Sequence, residues 1–532
     1  LSSTFAPPAA LGAHSVYGAF AEIVRRTPDA PALINADFCL SYGELDAAAT
    51  RCAAALRAHG VRRGDRVAIR ATAGPEIAIT VIACAKLGAI YVGLGMRLTP
   101  AELTYVLGDA KPTVTIGMRT FRGRDVGSEL RHISAQALVA ATIVFEPDPA
   151  GGISPEFAQL LGTRDAAWTE PLPVGDDPLA LIYTSGSTGP PKGAVLANRS
   201  ICVAALALLE HWPFERRVLS LAPIDHIAFL LCEMWAVVLA GGVLVQLPAF
   251  EPELVLETIV RRRVTIWLAI TTMLQRVLAH ERVDAYDLSH MELLWWPGPL
   301  SDSAIANVRR RVRRVGNSYG MTEAAGTIAF TDFDADDAAL ATTVGRPNPY
   351  LEVRLRDEPD GAAGDPREIL LRGPQLMLGY WNKPEATAQS YVDGDWFCTG
   401  DLGRLENGVL SVVGRKKELI RSGGYNIMPA EIERALEEHP AVQCAYVCGV
   451  ASDLYGEAVH AICQLRPGAS ATPAQLDAHV RALVASYKAP KSYALRADLP
   501  LLANGKVDRK SLAAQLRAEQ KDSIRAEHAS RP

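Results

Sequence analysis

The stretch Tyr183-Thr184-Ser185-Gly186-Ser187-Thr188-Gly189-Pro190-Pro191-Lys192-Gly193 holds the side chains best suited by type and spacing to do chemistry. Its glycines let backbone N–H groups approach an anion closely, its hydroxyls add donors, and its lysine adds charge, a composition that suits a polyphosphate. It is not a Walker A loop. Counting from Gly186, Pro191 stands where the glycine before the lysine belongs, and Pro190-Pro191 disfavours an immediate helix start. A flexible surface loop is the bland alternative. Against it, the apolar run Leu179-Ala180-Leu181-Ile182 just ahead reads as a buried strand, which a linker rarely follows.

The elements that must position this loop are legible on both sides. Ser41-Tyr42-Gly43-Glu44-Leu45 opens an alanine-rich amphipathic helix ending near Gly60, with Ser41 as N-cap and Glu44 completing a capping box. Val67-Ala68-Ile69 reads as a strand, Glu76 to Leu87 as a helix closed by Gly88, and Ala89-Ile90-Tyr91-Val92 as the next strand. Such alternation implies a largely parallel α/β sheet. Between 120 and 175 the pattern is weak. A helix from about Arg199 to Leu209 follows the loop, then strands at Val218–Leu221, Val264–Leu268 and Leu293–Trp296. Ala228 to Leu247 is almost wholly apolar, but Glu233 interrupts it and Gly241-Gly242 divides it, so a buried helix and a buried strand fit better than a membrane span. Beyond about Gly414 a small α+β unit begins, with a helix starting at Pro429.

At 532 residues the chain exceeds one compact core and fits two or more domains. Its 49% hydrophobic and 21% charged residues are those of a globular protein, and a net charge of −5 argues against nucleic acid bound through a basic face. The nine cysteines show no zinc spacing; Cys444 and Cys448 read as buried thiols, and a cytoplasmic setting is expected.

Further signatures follow the loop in order. They are Asn317-Ser318-Tyr319-Gly320-Met321-Thr322-Glu323; Thr399-Gly400-Asp401; Gly414-Arg415-Lys416-Lys417-Glu418; Gly423-Gly424-Tyr425-Asn426-Ile427-Met428-Pro429; and Lys506 within Asn504-Gly505-Lys506-Val507-Asp508-Arg509. Together with the loop they resemble the adenylate-forming superfamily of acyl- and aryl-CoA synthetases, peptide-synthetase adenylation domains and luciferases. The resemblance implies an α/β fold: a large multi-subdomain N-terminal domain with mixed and parallel sheets (1–416), and a small mobile α+β C-terminal domain (417–532). It implies ATP held by Thr184 to Gly189, Lys192, Gly298, Pro299, Asn317, Tyr319, Gly320, Met321, Thr322, Asp401, Arg415 and Lys506. Tyr319 would face adenine, Asp401 the ribose hydroxyls, Thr322 the α-phosphate, and Glu323 would ligate Mg²⁺. Lys417 would be the hinge, Lys506 the mobile catalytic lysine, and Gly423 and Gly424 would line the channel for a thiol, CoA being the expected acceptor.

The chain departs from that pattern around the acid. Trp295-Trp296-Pro297-Gly298-Pro299 replaces the usual Gly-Gly-Ala-Pro turn, so Trp296 either enters the pocket and restricts it to small acids or points into the core. Asp225 and His226 would set a charge and a titratable ring near the substrate, unless they are a satisfied structural pair, and Glu233 could join them. Thr271 and Asn198 also replace commoner residues. The expected activity is an AMP-forming ligase for a small aromatic or polar acid, His226, Thr322, Glu323 and Lys506 acting in catalysis. If Trp296 fills the pocket, a diazotase that activates nitrite toward an aromatic amine is the alternative. A loader of a carrier protein in trans and a non-catalytic nucleotide binder complete the set; no membrane partner is expected, and the protein would be a monomer or homodimer.

Overall fold

A computed structural model describes residues 15–162, 168–184, 190–212, 216–298, 300, 302–357, 365–422, 425–452, 454–500, 507–509, 511–512 and 515–516. Two large sheets carry the N-terminal part. In the first, the strands Val315–Met321, Leu293–Pro297, Ile266–Leu268, Arg217–Ser220, Val243–Gln246 and Pro31–Asn35 lie side by side in parallel. Antiparallel strands close its edges: Gly326–Phe330 and Arg346–Pro347 at one end, Phe38–Ser41 at the other. In the second, Pro178–Thr184, Ile90–Gly93, Arg66–Arg70, Val114–Met118 and Ala141–Phe145 are parallel, and Lys192–Ala197 and Gly379–Tyr380 add antiparallel pairs.

The helices Val16–Arg26, Tyr42–Ala58, Pro75–Leu87 and Asn198–His211 share one apolar cluster with strands of both sheets, so they form the layer between them. Every residue of Pro75–Leu87 is buried, as its continuous apolar sequence requires. Ser41 and Glu44 form the expected reciprocal cap. Pro252–Arg262, Thr271–Leu278 and Asp302–Arg309 cover the outer face of the first sheet in a second cluster. Pro100–Ala110 and Val126–Gln136 do the same for the second sheet.

The apolar stretch from Ala228 is a helix followed by the strand Val243–Gln246, and no helix among the described residues is long and apolar enough to cross a membrane. Its first part, Ala228–Trp235, is a π-helix, a rare widened turn often found at functional sites. The weak region 120–175 contains the helices Val126–Gln136 and Pro155–Leu161 and the strand Ala141–Phe145. A further antiparallel sheet over Glu352–Arg415 precedes the small unit, whose strands and helices Pro429–Glu437 and Pro473–Leu483 enclose a core of their own. The fold is thus mixed α/β with a large N-terminal part and a smaller C-terminal one.

Candidate functional site

Three residues from three separate signatures meet at one point. Asp401 pairs in register with Arg415 across two antiparallel strands, and the Arg415 Nε lies 3.3 Å from its Oδ1. Its Oδ2 accepts the Tyr319 hydroxyl at 2.6 Å, and its N–H donates to Thr399 Oγ1 at 3.0 Å. Burial, then the Asp401 charge, hold the Tyr319 phenol well above its usual range, so it stays a donor. An aromatic face, a part-buried carboxylate and a guanidinium at such spacing can hold a base, two vicinal hydroxyls and a phosphate or ribose oxygen. Gly320 is required here, because a Cβ would collide with the Gly326 carbonyl of the neighbouring strand.

The second group frames the phosphate-type loop. Thr184 and Lys192 face each other on paired strands, and the Thr184 hydroxyl donates to the Lys192 carbonyl at 3.3 Å. The Lys192 ammonium lies 4.9 Å from the centroid of Tyr380, whose hydroxyl donates to Glu323 Oε1 at 2.9 Å. Lys192, Tyr380 and Glu323 therefore form one chain of contacts beside the loop. Tyr105 steadies the loop's far end by donating to the Pro191 carbonyl at 3.0 Å. Ser185 to Gly189 themselves lie outside the described residues, as do Pro299, Gly423, Gly424 and Lys506. The segment bearing Lys506 is closed at its base, where the Asp508 N–H donates to the Pro500 carbonyl at 2.7 Å. Arg509 anchors it through Glu433 at 2.6 Å and Glu418, next to Lys417, at 3.4 Å. Thr322 is buried in a short turn beside Glu323, and Met321 ends the strand before it.

Several candidates are placed otherwise than expected. Asn317 donates its amide to the Leu340 and Thr343 carbonyls, so these donors fix the end of the helix Asp337–Thr342. Trp296 is fully buried in the cluster between the first sheet and its outer helices. Successive residues of a strand face opposite sides, and it is Trp295 that turns to the inner side. Its indole N–H donates to Ser318 Oγ at 2.6 Å, and its ring centroid lies 3.5 Å from that of Trp212 with the planes tilted by 37°. Pro297 lends its carbonyl to Thr271 Oγ1 at 2.8 Å, and Gly298 donates to the Ser318 carbonyl at 3.2 Å, beside Tyr319. Asn198 bridges Val16 and Asp177, a structural use.

Glu233 is corrected in the same way. Fully buried, it accepts from Ser220 Oγ, Leu221 N and Ala222 N at 3.1, 2.9 and 2.9 Å, sealing the end of a strand and not facing a substrate. Desolvation outweighs these donors and pushes its carboxyl up to about 8. Asp225 sits on the loop that follows. Burial pushes it up to about 6, although solvent still reaches part of its surface. Its carboxyl packs so closely on Gly95 that a Cβ there would have to displace it. His226 accepts the Ala228 N–H on Nδ1 at 3.1 Å at the start of the π-helix. Sequence reasoning missed Tyr380, Trp381 and Tyr105. The one available signal was the aromatic pair Tyr380-Trp381 after Gly379, ahead of the turn Asn382-Lys383-Pro384.

Residues 20–381 match the model of the AMP-binding enzyme family, and residues 431–506 that of the AMP-binding enzyme C-terminal domain. The chain is 36% identical over 494 residues to a feruloyl-CoA synthase of Amycolatopsis sp, covering 91% of this chain and 95% of that one. It is 34% identical over 480 residues to the indoleacetate–CoA ligase of Aromatoleum aromaticum, covering 88% and 91%. The solved structure of ATP-bound MatB from Rhodopseudomonas palustris superposes with a TM-score of 0.83 at 28% identity, over 93% of this chain and 98% of that one.

Proposed function

The chain belongs to the AMP-binding enzyme family, within the adenylate-forming superfamily, and from that premise we propose that it is an ATP-dependent, AMP-forming ligase that joins a small aromatic or polar carboxylic acid to CoA. The observation that carries this reading is the convergence of Tyr319, Asp401 and Arg415 at one point and of Lys192, Tyr380 and Glu323 beside the loop. The acid's oxyanion attacks the α-phosphorus of ATP and pyrophosphate leaves. A thiol sulfur then attacks the acyl carbon and AMP leaves. The protein's task in the first step is positioning and charge neutralisation. Tyr319 and Asp401 hold the nucleoside, Thr184, Thr188 and Lys192 the phosphates, and Lys506 meets the developing charge when the small unit closes. Glu323 offers a carboxylate for Mg²⁺, which in such sites takes only one or two protein oxygens beside the phosphates and supplies Lewis-acid neutralisation. Gly423 and Gly424 then admit the thiol after rotation about Lys417.

An aromatic acid is favoured because two of the relatives described above are named for ferulate and indoleacetate. The nitrite alternative drew its physical basis from Trp296 filling the pocket; with that ring in the outer core, nothing specific favours it. Pyrophosphate release across ferulate, indoleacetate, small benzoates and nitrite, with and without CoA, tests the proposal. A holo-carrier protein replaces CoA in a parallel arm. The expected result is release and CoA thioester with at least one aromatic acid; release with nitrite and an aromatic amine alone, or with no acid at all, would sink it.

A further inference from the structure

One cavity lies away from the nucleotide and acid candidates. It measures about 420 Å³ and opens between the two sheets, where the strands Pro31–Asn35 and Val243–Gln246 of the first end against Ala71–Glu76 and Phe145 of the second. None of Lys192, Glu323, Tyr319, Asp401, Asp225 or Trp296 lines it. The volume lies within the usual range for small-molecule sites.

Its polar lining is unusual. Gln246 is 2% exposed, and neither its amide nitrogen nor its amide oxygen has a hydrogen-bond partner. A buried amide left unmatched on both atoms is a standing penalty, and a ligand with one donor and one acceptor would remove it. Beside it stands the first turn of the helix Pro75–Leu87, where Gly74 makes no side-chain cap and Glu76 is buried. Glu76 Oε1 accepts the Ser154 N–H at 2.8 Å. The helix start disfavours a cation and the Glu76 carboxyl disfavours an anion. The remaining wall combines apolar Ile34, Met118, Phe145, Val245 and Leu247 with polar groups that are already engaged, Asn35 by the Gly151 carbonyl and Asp148 by the Ala150 and Gly152 N–H groups, and with an exposed Glu257. At the mouth Arg261 is taken up by Asp37 at 2.6 Å.

We propose that this cavity is a second small-molecule site, for a compact, uncharged, aromatic-sized compound with a carboxamide-type head that pairs with Gln246. One strand pair separates the cavity from the Asp225-His226 loop. Gln246 is the register partner of Ser220, whose hydroxyl and following N–H groups bind Glu233 at the root of the Asp225-His226 loop. The site stands independently of the substrate assigned above.

Benzamide is the probe, with benzoate as its charged counterpart, titrated by saturation-transfer NMR into the full chain with and without saturating AMP and ferulate. Gln246→Leu keeps the volume and removes the amide; Ala73→Leu fills the cavity from another wall. Saturable benzamide binding is expected, at least tenfold tighter than benzoate, weakened at least tenfold by either substitution, and undiminished by ferulate. Because Gln246→Leu removes an unmatched polar group, its melting temperature should equal or exceed that of the wild type. The proposal is overturned by absence of saturable binding, by binding that both variants retain, by displacement with ferulate, or by a Gln246→Leu protein that melts several degrees lower. Should Gln246→Leu fail to fold, retention of binding by Ala73→Leu has the same force.

Discussion

Tyr319, Asp401 and Arg415 are each ambiguous alone, since an aromatic, a Gly-Asp turn and a charge run are all common. Contact at 2.6 and 3.3 Å brings them to one point, and the proposed nucleotide role rests on that convergence. Asp401→Asn keeps the shape but removes the charge that Arg415 faces. A hydrogen bond to a charged group is worth about 1.5–3 kcal/mol, so the KM for ATP should rise roughly 10- to 100-fold, with a smaller change in kcat. An unchanged KM in pyrophosphate-release kinetics would remove Asp401 from the nucleotide site. Trp296 yields the opposite kind of prediction. As a core ring, its replacement by phenylalanine leaves a void, so melting temperature should fall by several degrees while the ranking of acids stays the same. The same substitution at Trp295, whose N–H holds Ser318, should alter that ranking. A changed acid preference in Trp296→Phe would show that the two rings had been assigned to the wrong faces.

At the scale of elements, what could be read from sequence was whatever local chemistry dictates. The Ser41–Glu44 box, the helix ending before Gly88 and the proline-started helix at Pro429 all depend on contacts within a few residues, and all are present. The alternation that separates Trp295 from Trp296 was also local, yet it says only that the faces differ, and tertiary packing decides which face is which. The π-helix Ala228–Trp235 has no local signature; its extra residue per turn is held by packing between the sheets, and it aims Glu233 at the strand end. That placement has a pH consequence. The Glu233 carboxyl is raised to about 8 in the folded state, so its contribution is full below the unfolded value of 4.5 and is lost as pH rises through 8. Asp225, raised to about 6, acts in the same direction over a lower window. Wild-type melting temperature should therefore decline between pH 5 and 8.5, with a slope of up to ~1.4 kcal/mol per pH unit per group. In Glu233→Gln the decline above pH 6 should flatten; an identical slope would mean that the folded-state carboxyl ionises near its unfolded value, far better solvated than its burial implies.

For the molecule as a whole, Tyr319 and its partners and the strands and helices that precede Lys506 belong to parts with separate apolar clusters, and the proposed mechanism needs one to approach the other. In the small unit the described residues on either side of Lys506 are held by contacts of their own. Pro500 and Asp508 are joined backbone to backbone, and Arg509 is clamped by Glu433 and Glu418 with its guanidinium 5.4 Å from the centroid of Tyr446. Because Glu418 adjoins Lys417, a rotation at that pivot would move the clamp and the loop together. Lys506→Ala removes one ammonium and leaves the side chains of these anchors unaltered. It should lower acid-dependent pyrophosphate release by about 10²–10⁴-fold, while ATP affinity, read by calorimetry, changes only a few-fold, because the lysine acts on charge that develops during transfer and not on the bound ground state. Transfer from a chemically supplied acyl-adenylate to CoA should proceed nearly as in the wild type, since that step requires the lysine to have withdrawn. Equal losses in both half-reactions would indicate a collapsed small unit. Full retention of the first would place the ammonium away from the phosphates in every orientation and would return Lys192 and Glu323 as the only charges at work there.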